Sequence, residues 1–428
     1  MKNKLFALAV FFLFVISAQA QVAKSVKGTF ALTNATIETV TKGTITNGTL
    51  IIKDGKITAL GTNVNVPAGA TTIDCTGHTI YPGMIDGNTQ LGLAEVNSVS
   101  LTVDHNEIGE VKPHMQALTA VNPNNTAIPV TRVSGVTTVM AVPTSGIIPG
   151  TAALINLVGY NPDQMYAGYK AVVMNFPSAS RRGRRDRRSP EDVKKAYEKS
   201  MKSINDLWDQ VALFDKVQQA NEDVDYNPAL EAMIPVMKGE MNLHINVNSK
   251  DAILNALKWV KEKEMKNVVL VGVSEGWRVA KEIAEAGIPV ITGPVQSTPT
   301  RASDRYDRPY ANAGVMSKAG VKVAITSGET ENVRNLPFNA GFAAAYGMGK
   351  KAALEAVTIN PAQIFGVADK IGSLEVGKDA NLFVATGDPF ETKTKIAHLF
   401  IGGYQIAIDS RHIQLYHEFL ERSPGVKK

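Results

Sequence analysis

The chain of 428 residues has a single cysteine, Cys75, which excludes an intrachain disulfide framework in any compartment. It also lacks an apolar run of about 20 residues, the length a helix needs to cross a bilayer. Strong charge of one sign is missing too: 45 Lys and Arg against 40 Asp and Glu leave +5, too mild an excess to imply a nucleic-acid partner. No His-x-His, His-Glu-x-x-His or cysteine pair occurs among the seven histidines and one cysteine, so the common short zinc motifs are absent. What is present is ordinary for a folded protein, with 44% hydrophobic and 20% charged residues. The length predicts two or three domains, at roughly 100 to 200 residues each.

The start of the chain has its own character. Lys2 and Lys4 precede the apolar stretch Leu5–Ile16, followed by Ser17, Ala18, Gln19 and Ala20. A basic start, a short apolar run and a small-x-small site predict a secretory signal peptide over residues 1–20, cleaved after Ala20. The expected product is exported, to the periplasm or the medium, with no membrane span after removal of the signal.

Residues 28–81 read as short strands punctuated by Asn47-Gly48, Asp54-Gly55 and Gly61, with Asp54-Gly55 the strongest hairpin signal. From Pro82 to residue 367 apolar strands such as Val136–Val142, Asn242–Val247 and Asn267–Val273 alternate with amphipathic helices, the pattern of a sheet covered on both faces. At this length the expected fold is α/β, a (β/α)8 barrel of the TIM type. Residues 368–408 return to β texture. Neither terminal β segment is large enough to stand alone, so 28–81 and 368–408 are expected to form one discontinuous β-sandwich domain. A tail, 409–428, is expected to end in a helix. The run Arg181–Arg188 carries six arginines and no interleaved aromatic residue. It reads as a solvated loop before a helix capped by Ser189 and opened by Pro190, and more weakly as an anion-binding patch.

Several phrases carry a resemblance. Gly48-Thr-Leu-Ile-Ile-Lys-Asp-Gly-Lys-Ile-Thr-Ala-Leu-Gly, Ile73-Asp-Cys-Thr-Gly, Tyr81-Pro-Gly-Met-Ile-Asp-Gly-Asn-Thr-Gln, Ala353-Leu-Glu-Ala-Val-Thr-Ile-Asn-Pro-Ala and Ile371-Gly-Ser-Leu-Glu-Val-Gly-Lys-Asp-Ala-Asn-Leu follow in order. Together they resemble the amidohydrolase superfamily, closest to its imidazolonepropionase-like and cyclic-amidase branches, over nearly all of the expected mature chain. The resemblance implies hydrolysis of carbon–nitrogen bonds other than peptide bonds. It also implies zinc or another divalent metal held by a His-x-His pair on the first barrel strand and by histidines ending the fifth and sixth. An aspartate ending the eighth serves as proton shuttle. Residues i and i+2 of a strand share a face, so such a pair reaches one metal, which lowers the pKa of bound water.

This chain departs from the family pattern at each place. Asn88 and Gln90 replace the histidine pair after Asp86; Asn246 stands on the fifth strand, Gly272 on the sixth and Gly328 on the eighth. Amides and glycines supply neither soft metal ligands nor bases. No catalytic residue and no cofactor is therefore expected, and the chain reads as a non-catalytic homologue. The expected role is that of a partner to an intact relative or to a second copy, or a binder of a small-molecule ligand. The alternative is an active cyclic-amide hydrolase with an atypical metal set built from Asp86, His244 and Glu329. His244 lies two residues before Asn246, about 6.6 Å along a strand, and reads first as a histidine of the barrel interior.

Overall fold

The protein is described by a computed structural model over residues 25–179, 187–220 and 225–422. The expected signal peptide, most of the arginine run and the last six residues lie outside that range.

The first six strands are β1 (Val26–Lys27), β2 (Phe30–Glu38), β3 (Thr44–Lys53), β4 (Lys56–Gly61), β5 (Thr71–Asp74) and β6 (Thr79–Pro82). Eight more follow: β7 (Met84–Thr89), β8 (Val136–Ala141), β9 (Gly150–Asn156), β10 (Tyr166–Asn175), β11 (Asn242–Val247), β12 (Val268–Gly272), β13 (Val290–Thr292) and β14 (Val323–Ile325). The last three are β15 (Leu382–Ala385), β16 (Ile396–Ile401) and β17 (Tyr404–Ile406).

Both chain ends contribute to one nine-stranded sheet, ordered β1-β17-β16-β15-β6-β2-β3-β4 with β5 also paired to β2. Its core holds Leu32, Ile37, Leu50, Ile52 and Ile80 from the first segment against Leu382, Val384 and Phe400 from the last. Asp54 and Gly55 make the hairpin turn between β3 and β4 at φ +52° and +82°, the pair of positive values a type I′ turn requires. Asn47-Gly48, expected as a turn, instead lies inside β3 opposite a register shift in β2 near Ala35. A Cβ at Gly48 would come within 2.8 Å of Ile37 Cδ1, so a larger residue there would make the Ile37 side chain shift.

The other eight strands form the barrel, in sequence order from β7 to β14. One strand departs from the expected parallel pattern: β9 runs antiparallel to both β8 and β10. The cause is chain length. Residues 142–149 join β8 to β9, whereas a parallel crossover needs about a dozen residues or more. Side chains facing inward, among them Ile85, Met140, Leu154, Val173, Val271 and Ile291, fill the barrel. Outward-facing Ile245, Leu270 and Ile325 pack under the helices, including Pro190–Gln219 and Lys250–Glu262. The first of these helices begins as its sequence predicts, with Ser189 Oγ accepting from Asp192 N at 3.0 Å. Helix Arg411–Arg422 closes the described tail.

Sheet and barrel meet at a tight joint. Gly83 alone separates β6 from β7, and a Cβ there would sit 2.1 Å from Thr137 Oγ1. The Pro-Gly-Met-Ile-Asp phrase thus has a steric reason: only glycine lets the first barrel strand approach the second so closely. Buried Asn381 ties the joint, its Nδ2 donating to Asn156 Oδ1 at 2.9 Å and its Oδ1 accepting from Gly402 N at 2.7 Å.

Candidate functional site at the barrel mouth

The barrel interior is layered by strand register. His244 aligns with Val173 on β10 and Val269 on β12; Asn246 aligns with Asn175 and Val271 one layer nearer the C-terminal ends of the strands. His244 therefore lies below the mouth, near the floor formed by the segment after β14. Its ring stacks 6.0 Å from that of Phe365, and its Nε2 is 2.8 Å from Tyr169 Oη. Burial pushes the His244 imidazole down to about 3 and raises the Tyr169 phenol, so both are neutral near pH 7. Hydrogen-bonded and enclosed, His244 is a core histidine.

The positions expected from the resemblance to be ligand sites all stand at or just beyond the C-terminal ends of their strands. Asn88 and Gln90, both half-buried, flank Thr89, which pairs with Ala141 of the outer core, so the two amides share the inner side. Asn246 Nδ2 donates to Asn175 Oδ1 at 2.7 Å, and Asn175 Nδ2 donates to Gly146 O at 2.8 Å. Gly272 ends β12 at φ +88°, where a Cβ would lie 2.6 Å from Asn248 Oδ1. Gly328 takes φ +63°, with Pro294 Cδ 3.1 Å from its would-be Cβ. Both backbones favour glycine and resist a larger side chain.

The three remaining candidates do different work. Asp86, fully buried, closes the barrel between its first and last strands: it accepts from Thr326 Oγ1, from Ser327 N at 3.0 Å and from Asn88 N at 3.3 Å. Burial pushes its carboxyl up to about 6, against the opposing hydrogen bonds from Ser327 and Thr326. Glu329 is half-buried just past that clasp, its carbonyl accepting from Gln90 N at 3.4 Å. His244 is committed to Tyr169.

These residues do not fit the divalent metal that the family resemblance implies. Amides stand at three of the expected ligand positions and glycines at two, Asp86 is enclosed by donors from two strands, and the imidazole of His244 sits a layer below. Among the described residues no three or more His, Cys, Asp or Glu side chains are grouped to hold a metal.

One motif escaped the sequence reading. Gly272-Val-Ser274-Glu-Gly276 has the letters of Gly-x-Ser-x-Gly, whose meaning depends on a strand-to-helix elbow and a partnering base. Here Ser274 Oγ donates to Asn248 Oδ1 at 2.8 Å, and the turn leads into a 3-10 segment, Gly276–Arg278. Glu275 turns away into a buried network, accepting from Arg301 Nε at 2.5 Å, Lys250 N at 2.8 Å and Thr300 Oγ1 at 2.9 Å. Burial alone would raise the Glu275 carboxyl, yet those donors hold it below the usual carboxylate range. The network anchors the loop after β13 to the end of β12.

Comparison with known proteins agrees with this architecture. A solved structure described as an amidohydrolase from Thermotoga maritima MSB8 superposes with a TM-score of 0.77 at 25% identity, covering 88% of this chain and 99% of that one. A prolidase complexed with N-methylphosphonate-L-proline superposes at 0.55 over 89% of this chain and 99% of its own, and at 14% identity it shows the fold alone. Amidohydrolase tasK of Hapsidospora irregularis is 30% identical over 166 residues, a match spanning 32% of this chain and only 17% of that protein's length. The sequence model of the amidohydrolase family matches residues 79–406, which is most of the chain. With the barrel, the composite terminal sheet and that match in agreement, the chain belongs to the amidohydrolase family.

Proposed function

We propose that this chain is an exported, non-catalytic amidohydrolase-family protein, whose barrel serves as a scaffold for binding a small ligand or for docking on a partner. The observation that carries the reading is the end of β12. There Gly272 has a left-handed backbone, and Asn248 Oδ1 occupies the space a ligand side chain would enter. A metal-activated hydroxide needs ligands that bring bound water from a pKa of 15.7 to about 7, and amides at 88, 90 and 246 do not provide them. The partner in this reading is an intact amidohydrolase or a second copy. Export rests on the basic and apolar start of the chain.

A second reading keeps hydrolysis of a cyclic amide. It is favoured by the family itself and by the 25% identity to a structure described as an amidohydrolase. It requires Asp86 to leave Thr326 and Ser327, and His244 to leave Tyr169. Elemental analysis of the purified full-length product separates the two. The first reading expects substoichiometric transition metal and no chelator-sensitive turnover of cyclic amides. A stoichiometric metal ion with turnover that a chelator abolishes replaces it with the second. Sequencing the N-terminus of the product recovered outside the cytoplasm tests export, with Gln21 expected first.

A further inference from the structure

A cavity of about 160 Å³ opens between the turn after β12 and the loop after β13, beside the barrel mouth. This is close to the size of an engineered cavity of about 150 Å³ that accepts benzene, so it admits a compact organic molecule and little more. Trp277, Pro294, Val295, Pro299 and Ala313 give it apolar walls.

Its charges are unevenly matched. Trp277 carries two guanidinium groups, Arg278 at 4.0 Å and Arg308 at 4.6 Å from the ring centroid. Arg278 is neutralised by Asp304 and Arg301 by Glu275, while Arg305 pairs with Asp307 at 2.8 Å. Arg308 borders the cavity, and its guanidinium, stacked on Trp277, makes no hydrogen bond or ion pair with any described residue. The Ser297 and Thr298 hydroxyls border the same space, also without a side-chain hydrogen bond to a described residue. The wall behind them is rigid. Buried Asn312 donates to Val273 O at 2.9 Å and Thr292 Oγ1 at 3.1 Å, and accepts from Trp277 N at 2.8 Å.

We propose that this cavity binds a small organic carboxylate, with Arg308 as the fork that meets its oxygens, Ser297 and Thr298 as further donors, and Trp277 against its apolar body. A single unmatched guanidinium suits a monoanion, and its planar fork matches a carboxylate. A phosphate dianion would face the nearby Asp304 with only one counter-charge. The inference deepens the binding reading above by naming a site and a ligand class.

The test is calorimetric titration of the full-length mature protein with propionate, benzoate and inorganic phosphate, in parallel with Arg308→Gln and Trp277→Leu. Metal content and turnover are measured separately, so failure of the non-catalytic reading shows in those assays and not in this one. Expected is saturable binding of a carboxylate in preference to phosphate, weakened about 10- to 100-fold in Arg308→Gln, the loss of a charge-assisted hydrogen bond. Because the Arg308 guanidinium makes no hydrogen bond or ion pair and loses only its stacking on Trp277, the melting temperature of that variant should fall by little. Should Arg308→Gln lower the melting temperature by more than that, Trp277 fluorescence quenching by the carboxylate, absent in Trp277→Leu, serves as the second readout. Equal affinity in parent and Arg308→Gln, preference for phosphate, or no saturable binding of either carboxylate overturns the proposal.

Discussion

The floor and the mouth of the barrel interior are built from different chemistry, although they lie one or two side-chain layers apart on the same strands. At the floor Tyr169, His244 and Phe365 form an aromatic cluster with ring centroids 4.9 to 6.0 Å apart, sealed by Ala362 and Ile371. Tyr169 Oη and His244 Nε2 are paired within it. At the mouth the side chains are short amides and hydroxyls, and the strand ends finish in glycines with positive φ. The floor is a packed core, where lost volume is costly. The mouth is a rim of side-chain hydrogen bonds such as Asn246–Asn175 and Ser274–Asn248. The floor rests here on its own packing, while the mouth is made of amides, hydroxyls and glycines.

Breaking the floor should have the largest effect. Phe365→Ala removes a buried ring from beneath both Tyr169 and His244 and is expected to destabilise the fold by about 3–5 kcal/mol in denaturant titration. Tyr169→Phe should cost about 1–3 kcal/mol, because it leaves His244 Nε2 buried without a partner. At the mouth Asn246→Ala removes one bond to Asn175, which keeps its bond to Gly146 O, so about 0.5–1.5 kcal/mol is expected. A loss from Asn246→Ala equal to that from Phe365→Ala would show that the mouth is load-sharing core and erase the contrast.

Most of the architecture was legible before the structure. Gly83 and Asp54-Gly55 are sequence signals because steric approach and positive φ leave few other residues able to serve. The pairing of the two terminal segments followed from the small size of each. The direction of β9 was hidden, since an apolar run such as Ala152–Ile155 has the same periodicity running either way; only the short 142–149 connection carried the information. His244 could be read as ligand or core because its deciding neighbours, Tyr169 and Phe365, are remote in the chain. The Arg308–Trp277 cavity depends on where the loop after β13 folds, which no local pattern encodes.

The smallest effect is expected where floor and mouth oppose each other: stability of the unmodified protein between about pH 4 and 6. Asp86 has its carboxyl raised from 3.8 to about 6, so the folded protein keeps a proton there that the unfolded chain releases. That contribution is present at low pH and is lost as pH rises through about 6. His244 has its imidazole lowered from 6.5 to about 3, so the unfolded chain takes up a proton that the folded protein refuses. Its contribution is present above pH 6.5 and is lost as pH falls toward 3. In the shared window each group changes stability by about 1.4 kcal/mol per pH unit, with opposite sign, and the two cancel. Removing either one should unmask the other. Relative to the parent, His244→Gln should lose stability as pH rises from 4 to 6, and Asp86→Asn should gain it. Taking differences between variant and parent removes the titration of other carboxylates common to both. Denaturation midpoints measured across this range decide the matter: if both variants run parallel to the parent, neither group is held in the shifted state, and the electrical contrast between mouth and floor does not exist.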